Sequence, residues 1–157
     1  MSIPVVYDTM LFFQAASRPD RIHATMRGVM DGKLTLFVSP ELLAEVQDVL
    51  TRSEHRARFP ALAPDAIEAF ITDIAARATM IDAPAHVFTW PQHPDDDHLF
   101  NLAIHARAKY LVTWETRLLK LLADTTPAAD LLKQLAPDLS IITPAMLAEV
   151  LKSTPPK

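Results

Sequence analysis

Apolar residues follow two rhythms along this chain, and the two alternate. Short runs dense in β-branched and aromatic residues cover positions 3–7, 34–38, 110–113 and 139–142, with briefer extended pieces at Met80-Ile81 and Val87-Phe88. Runs of that length and composition read as buried strands. Between them, apolar side chains recur every three or four positions, which is the helical period. This spacing predicts helices over 9–16, 21–30, 40–50 and 65–77, from 99 into 106–109, and over 131–135 and 145–151, with a further apolar run at 118–122. Leu42, Leu43, Val46, Val49 and Leu50 form the apolar face of the third helix, and Ile67, Phe70, Ile71 and Ile74 that of the fourth.

The punctuation agrees with the rhythm. Ser39 is placed to cap a helix whose first position is Pro40, and Thr143-Pro144 starts the terminal helix. Positions 17–20 read as a loop, Asp31-Gly32 as a turn, and Pro127 as an interruption. Strands that alternate with helices from end to end predict an α/β fold, a parallel sheet covered on both faces. Such a sheet gathers the C-terminal ends of its strands along one edge, where ligands bind.

At 157 residues the chain is expected to form one domain over 1–152, with a frayed tail at 153–157. The absence of cysteine excludes disulfides, thiolate zinc sites and cysteine nucleophiles. The first residues carry no basic leader, and no apolar run reaches membrane-spanning length, so a cytoplasmic protein is expected. The net charge of -4 argues against a general nucleic-acid coat but not against an enzyme that meets RNA locally.

Chemistry concentrates at His93-Pro94-Asp95-Asp96-Asp97-His98, just ahead of a helix. Three consecutive carboxylates repel one another unless water or a cation screens them. Two readings stand side by side: helix capping, which favours Asp in the first turn, and binding of a hard cation through oxygen. Asp8 follows the first strand and Glu115 the 110–113 strand, while Glu45 lies beside the apolar stripe of the third helix. The predicted sheet brings these acids toward one edge. His93, His98 and His105 read as surface histidines rather than a zinc site. Arg52, Arg56 and Arg58 form a basic patch that is either a solvated loop or a phosphate-contacting edge.

In order and spacing, these residues resemble the PIN-domain nucleases, and more narrowly the bacterial toxin components of toxin–antitoxin pairs. Where the family has a strand ending Asp-Thr-Asn, this chain has Tyr7-Asp8-Thr9-Met10. Its second acid, a helical glutamate after a Ser-containing strand end, matches Glu45 in Ser39-Pro40-Glu41-Leu42-Leu43-Ala44-Glu45. The acidic turn and the following Ala-rich helix and strand match His93-Pro94-Asp95-Asp96-Asp97 and Ala108-Lys109-Tyr110-Leu111-Val112-Thr113-Trp114-Glu115. The resemblance spans residues 3–151. It implies a three-layer α/β/α, Rossmann-like fold with a central, mostly parallel sheet. It also implies a Mg²⁺- or Mn²⁺-dependent endoribonuclease whose catalytic acids are Asp8, Glu45, Asp96 and Glu115. The implied metal ligands are Asp8, Asp96, Asp97 and Glu115, with Thr9 and Thr113 orienting carboxylates and Arg52, Arg56 and Arg58 on RNA. An antitoxin and a second copy of the chain are the implied protein partners.

Three departures stand out: Met10 replaces Asn, Glu115 replaces Asp, and His93 replaces the first Asp of the turn. A thioether cannot donate the hydrogen bonds of an amide. The alternative reading is therefore a catalytically weak PIN-like module that binds RNA or a protein. A phosphoryl-accepting domain using Asp8 ranks third. It expects a Lys after a later strand, whereas Lys109 precedes its strand.

Overall fold

The run Ile-Pro-Val-Val-Tyr becomes the middle strand of the sheet, β1 (Ile3–Tyr7), with Val5, Val6 and Tyr7 wholly buried. The computed structural model describes residues 2–21 and 23–155. The other strands are β2 (Leu34–Val38), β3 (Thr79–Met80), β4 (Tyr110–Val112) and β5 (Ser140–Ile142), in the order β3-β2-β1-β4-β5. Every adjacent pair is parallel. Among the described residues nine α-helices accompany the five strands, and the architecture is the expected three-layer α/β/α.

The first five helices are α1 (Thr9–Ser17), α2 (Ala24–Met30), α3 (Pro40–Thr51), α4 (Ser53–Arg58) and α5 (Pro64–Arg77). The rest are α6 (Asp97–His105), α7 (Thr116–Leu121), α8 (Pro127–Leu135) and α9 (Pro144–Lys152). Their starts follow capping chemistry. Ser39 Oγ accepts the Leu42 N–H at 3.1 Å, and the Thr126 and Thr143 hydroxyls accept those of Ala129 and Met146 at 3.2 Å, each with Pro next in line. Pro127 thus opens a helix where an interruption was expected. No helix among the described residues is long and apolar enough to cross a membrane.

The structure corrects other boundaries for identifiable reasons. The helix expected from 21 begins at Ala24, because His23 is extended and its ring nitrogen contacts the Arg18 carbonyl. Residues 52–58 are no loop. Arg52 leaves α3 with extended backbone, and its carbonyl then accepts the N–H groups of His55 and Arg56, which restarts a helix as α4. Val87-Phe88 joins no strand, since both N–H groups donate to Asn101 Oδ1 at 2.8 and 2.9 Å. The acidic stretch forms a single 3-10 turn, Pro94–Asp96, that runs directly into α6. In the expected frayed tail, the Ser153 and Thr154 hydroxyls donate to the Val150 carbonyl, while Pro156-Lys157 lies outside the described residues.

From β1 the chain steps outward through β2 to β3 at one edge, then crosses back to β4 on the other side of β1. The crevice between β1 and β4 is thus the topological switch point, where parallel sheets bind ligands. Helix α6 packs on β1 and β2, and α3 contacts α1, α5 and α6. Leu42, Val46, Leu99, Leu102 and Ala103 are buried in one core with the strands, which fixes the helix that carries Glu45 and the helix that follows Asp96.

Candidate active site

Tyr7 pairs with Val112 at the ends of β1 and β4, and the Asp8 N–H extends the ladder by donating to the Val112 carbonyl at 3.0 Å. The next side chains meet. One Asp8 oxygen accepts the Thr9 N–H at 2.7 Å, and the other accepts the Thr113 hydroxyl at 2.7 Å. Thr113 is fully buried, and its hydroxyl oxygen also accepts the Glu115 N–H at 2.9 Å. Burial pushes the Asp8 carboxyl above its ordinary range. The bonds from Thr113 and Thr9 oppose that rise, and the charges of Asp96 and Glu115 add to it. Asp8 therefore shares an electrostatic neighbourhood with two further acids.

Glu45 reaches the same region from α3. The buried Thr9 donates its hydroxyl to Glu45 Oε2, and His98 Nε2 lies 3.4 Å from that oxygen. The histidine holds Glu45 below its ordinary value. Burial alone would lower His98, but the bond and charge of Glu45 outweigh it and the imidazolium is favoured. His98 Nδ1 is buried without a hydrogen-bond partner among the described residues. His98 is thus an enclosed companion of Glu45, contrary to the expectation of a surface residue. His93 packs edge-on against Trp90, and His105 is exposed.

Asp96, the last residue of the 3-10 turn, faces Arg117 in the first turn of α7. Arg117 Nη2 donates to Asp96 Oδ2 at 3.0 Å, and Nη1 donates to Glu115 Oε2 at 2.6 Å. Sequence reasoning missed this arginine. The available signal was its place: a cation in the first turn of a helix meets the positive end of the dipole and calls for an acidic partner.

Asp97 combines a bond to the backbone with a place in the lining of the cleft beside Glu45. It is buried, and its Oδ1 accepts the Trp90 N–H at 2.8 Å. Asn101, one turn on, accepts from Val87 and Phe88 and donates to the carbonyls of Phe88 and Asp97. Together these side chains tie the strap before the acidic turn to α6. An Asn between Phe100 and Leu102 was the sequence signal for that role.

The basic patch lies on and beside α4. Arg52 is paired with Asp48 at 3.1 Å and is near enough to help lower Glu45. Arg56 is exposed, and the Arg58 guanidinium sits over the Phe59 ring. Two large apolar side chains remain exposed next to the carboxylates in sequence, Met10 at 40% and Trp114 at 44%. Met10 therefore does not pack into the core. A cleft of about 470 Å³ opens beside Glu45, lined also by Glu41, Asp95 and His98. Another recess, of about 410 Å³, is lined by Met30, Phe70 and Arg77 and by none of Asp8, Glu45, Asp96 or Glu115. It is not the candidate site.

The donor set suits a hard divalent cation. It is all carboxylate oxygen, and the upward push of Asp96 and Glu115 on Asp8 is the repulsion such an ion relieves. Among the described residues, no three acidic or histidine side chains enclose an ion as they stand. The Arg117 guanidinium bridges Asp96 and Glu115 instead.

Comparison with known families matches the PIN domain model over residues 4–117. That span runs from β1 to Arg117 and contains all four of the acids named above. No curated protein matches the chain, and no solved structure does. PIN domains are generally nucleases that act on RNA and typically use divalent metal ions.

Proposed function

This chain belongs to the PIN domain family, and from that premise we propose that it is a Mg²⁺- or Mn²⁺-dependent endoribonuclease, the toxin of a toxin–antitoxin pair. The observation that carries the nuclease reading is Asp8 at the switch point, fixed by Thr9 and Thr113 and repelled by Asp96 and Glu115. The toxin role and the antitoxin partner rest on the likeness of its motifs to the bacterial toxin branch.

A divalent ion, when bound, supplies charge compensation and Lewis acidity at a scissile phosphodiester. Asp8 and Asp96 would hold it. Asp97 has one oxygen committed to the Trp90 N–H and would contribute the other. Glu45 and Glu115 would hold ligated water or a second ion. Thr113 orients Asp8, and Thr9 orients Glu45. Supporting groups of this kind act on affinity and activity through the ligands they position. Exposed Trp114 offers a face for an unstacked base, which favours single-stranded RNA. Arg52, Arg56 and Arg58 supply phosphate contacts, Arg52 near Glu45.

A second reading has its own observation. Arg117 already offsets part of the charge of Asp96 and Glu115, which, with Met10 and Glu115 in place of the family's Asn and Asp, favours a catalytically weak module that binds RNA. Incubation of the full chain with single-stranded RNA and Mn²⁺ separates the two. Cleavage that EDTA and Asp8→Asn both abolish supports the nuclease. Binding of RNA without cleavage in Mn²⁺ supports the module.

A further inference from the structure

One guanidinium joins the two carboxylates on the β4 side of the site. Asp96 comes from the turn before α6 and Glu115 from the residue that precedes α7, so no local backbone geometry brings them together. Arg117 meets one with each terminal nitrogen, at 3.0 and 2.6 Å. A planar guanidinium can do this because its donors point in fixed directions. Placing a cation in the first turn of α7 is unfavourable by itself, and the two acids offset that cost.

The side chain of Arg117 remains 40% exposed, and Asp96 and Glu115 are 18% and 46% exposed. The Arg117–Glu115 pair is exposed and of a kind that contributes little, while the Arg117–Asp96 pair is partly buried. The oxygens they occupy, Asp96 Oδ2 and Glu115 Oε2, are ones a hard cation would take. Each carboxylate keeps a second oxygen, but the two hydrogen bonds of Arg117 compete with an ion for these groups, and the two cations repel each other.

We propose that Arg117 is a built-in counter-ion of the Asp96–Glu115 half of the site, which competes with a divalent ion for these carboxylates and thereby sets the metal affinity. The proposal rests on the reading of the site as a metal-dependent nuclease. The same competition gives the metal-free chain a cohesion it would otherwise lack, because without Arg117 the repulsion among Asp8, Asp96 and Glu115 is uncompensated.

Calorimetric titration of the full chain with Mn²⁺, alongside melting in EDTA and in saturating Mn²⁺, tests this in three forms: parent, Arg117→Ala and Arg117→Lys. Arg117→Ala is expected to bind Mn²⁺ roughly 3- to 10-fold more tightly. It should melt below the parent in EDTA, with the gap closing in Mn²⁺. Arg117→Lys keeps the charge but cannot span two carboxylates as a planar fork, so it too should bind more tightly than the parent. Affinities equal to the parent's in Arg117→Ala would overturn the proposal and leave the metal-dependent reading standing. Parent-like binding in Arg117→Lys alone would reduce the effect to net charge, and would equally overturn the fork. If no form binds Mn²⁺, the proposal and the metal-dependent reading fall together.

Discussion

Hydroxyl groups do much of the organising at the scale of single residues. Thr113 donates to Asp8 and accepts from the Glu115 N–H, so one buried oxygen sets the relation between the first and last acids of the site. Thr9 links Asp8 to Glu45, donating its N–H to the first and its hydroxyl to the second. The His98–Glu45 contact adds a titration that can be read in solution. His98 is raised above its ordinary 6.5, so its stabilising contribution is complete below that value and is lost as pH rises through the folded-state value. Glu45 is lowered from 4.5, so its contribution is complete above that value and is lost as pH falls through the folded-state value. Asp8 runs the other way: its carboxyl is raised from 3.8, and the cost of ionising it accrues between that value and the raised one. The metal-free protein in EDTA is therefore expected to melt lower at pH 9 than at pH 6, and Glu45→Gln should flatten that difference. A parent melting temperature that does not fall across that range, or a fall equally large in Glu45→Gln, would contradict the assignment.

Individual elements show where the sequence was legible. Strands β1 and β2 and helices α3, α5 and α9 could be read because burial on a fixed face imposes a period and because Ser39-Pro40 and Thr143-Pro144 announce starts. Helix α4 could not, because its apolar contacts are few and its start depends on the extended backbone of Arg52 after α3. Val87-Phe88 has strand-like residues, yet its hydrogen bonds go to a side chain on α6 rather than to a neighbouring strand. That strap is the most testable element. Asn101 is buried and satisfies four backbone groups. Asn101→Ala leaves them without their partner and should cost about 2–4 kcal/mol. Calorimetric melting checks this, and a loss within about 0.5 kcal/mol, typical of surface substitutions, would show that the strap is held by its apolar contacts instead.

For the molecule as a whole, alternation of strands and helices was enough to give a parallel three-layer fold, but not its strand order. Order depends on which strands pair, and pairing is a contact between distant residues that no local pattern encodes. The order β3-β2-β1-β4-β5 is what puts Asp8 beside Thr113. The motif order of the PIN family made those two residues candidates. Their hydrogen bond, the Arg117 bridge and the enclosure of His98 required the fold.

Mn²⁺ binding to the full chain, compared with Asp8→Asn and Asp96→Asn, bears most directly on the central claim. The parent is expected to bind, and each variant to lose at least about 10-fold in affinity while its circular dichroism and cooperative melting are retained. Equal affinity in the parent and both well-folded variants would contradict the claim that these carboxylates form a metal-dependent nuclease centre.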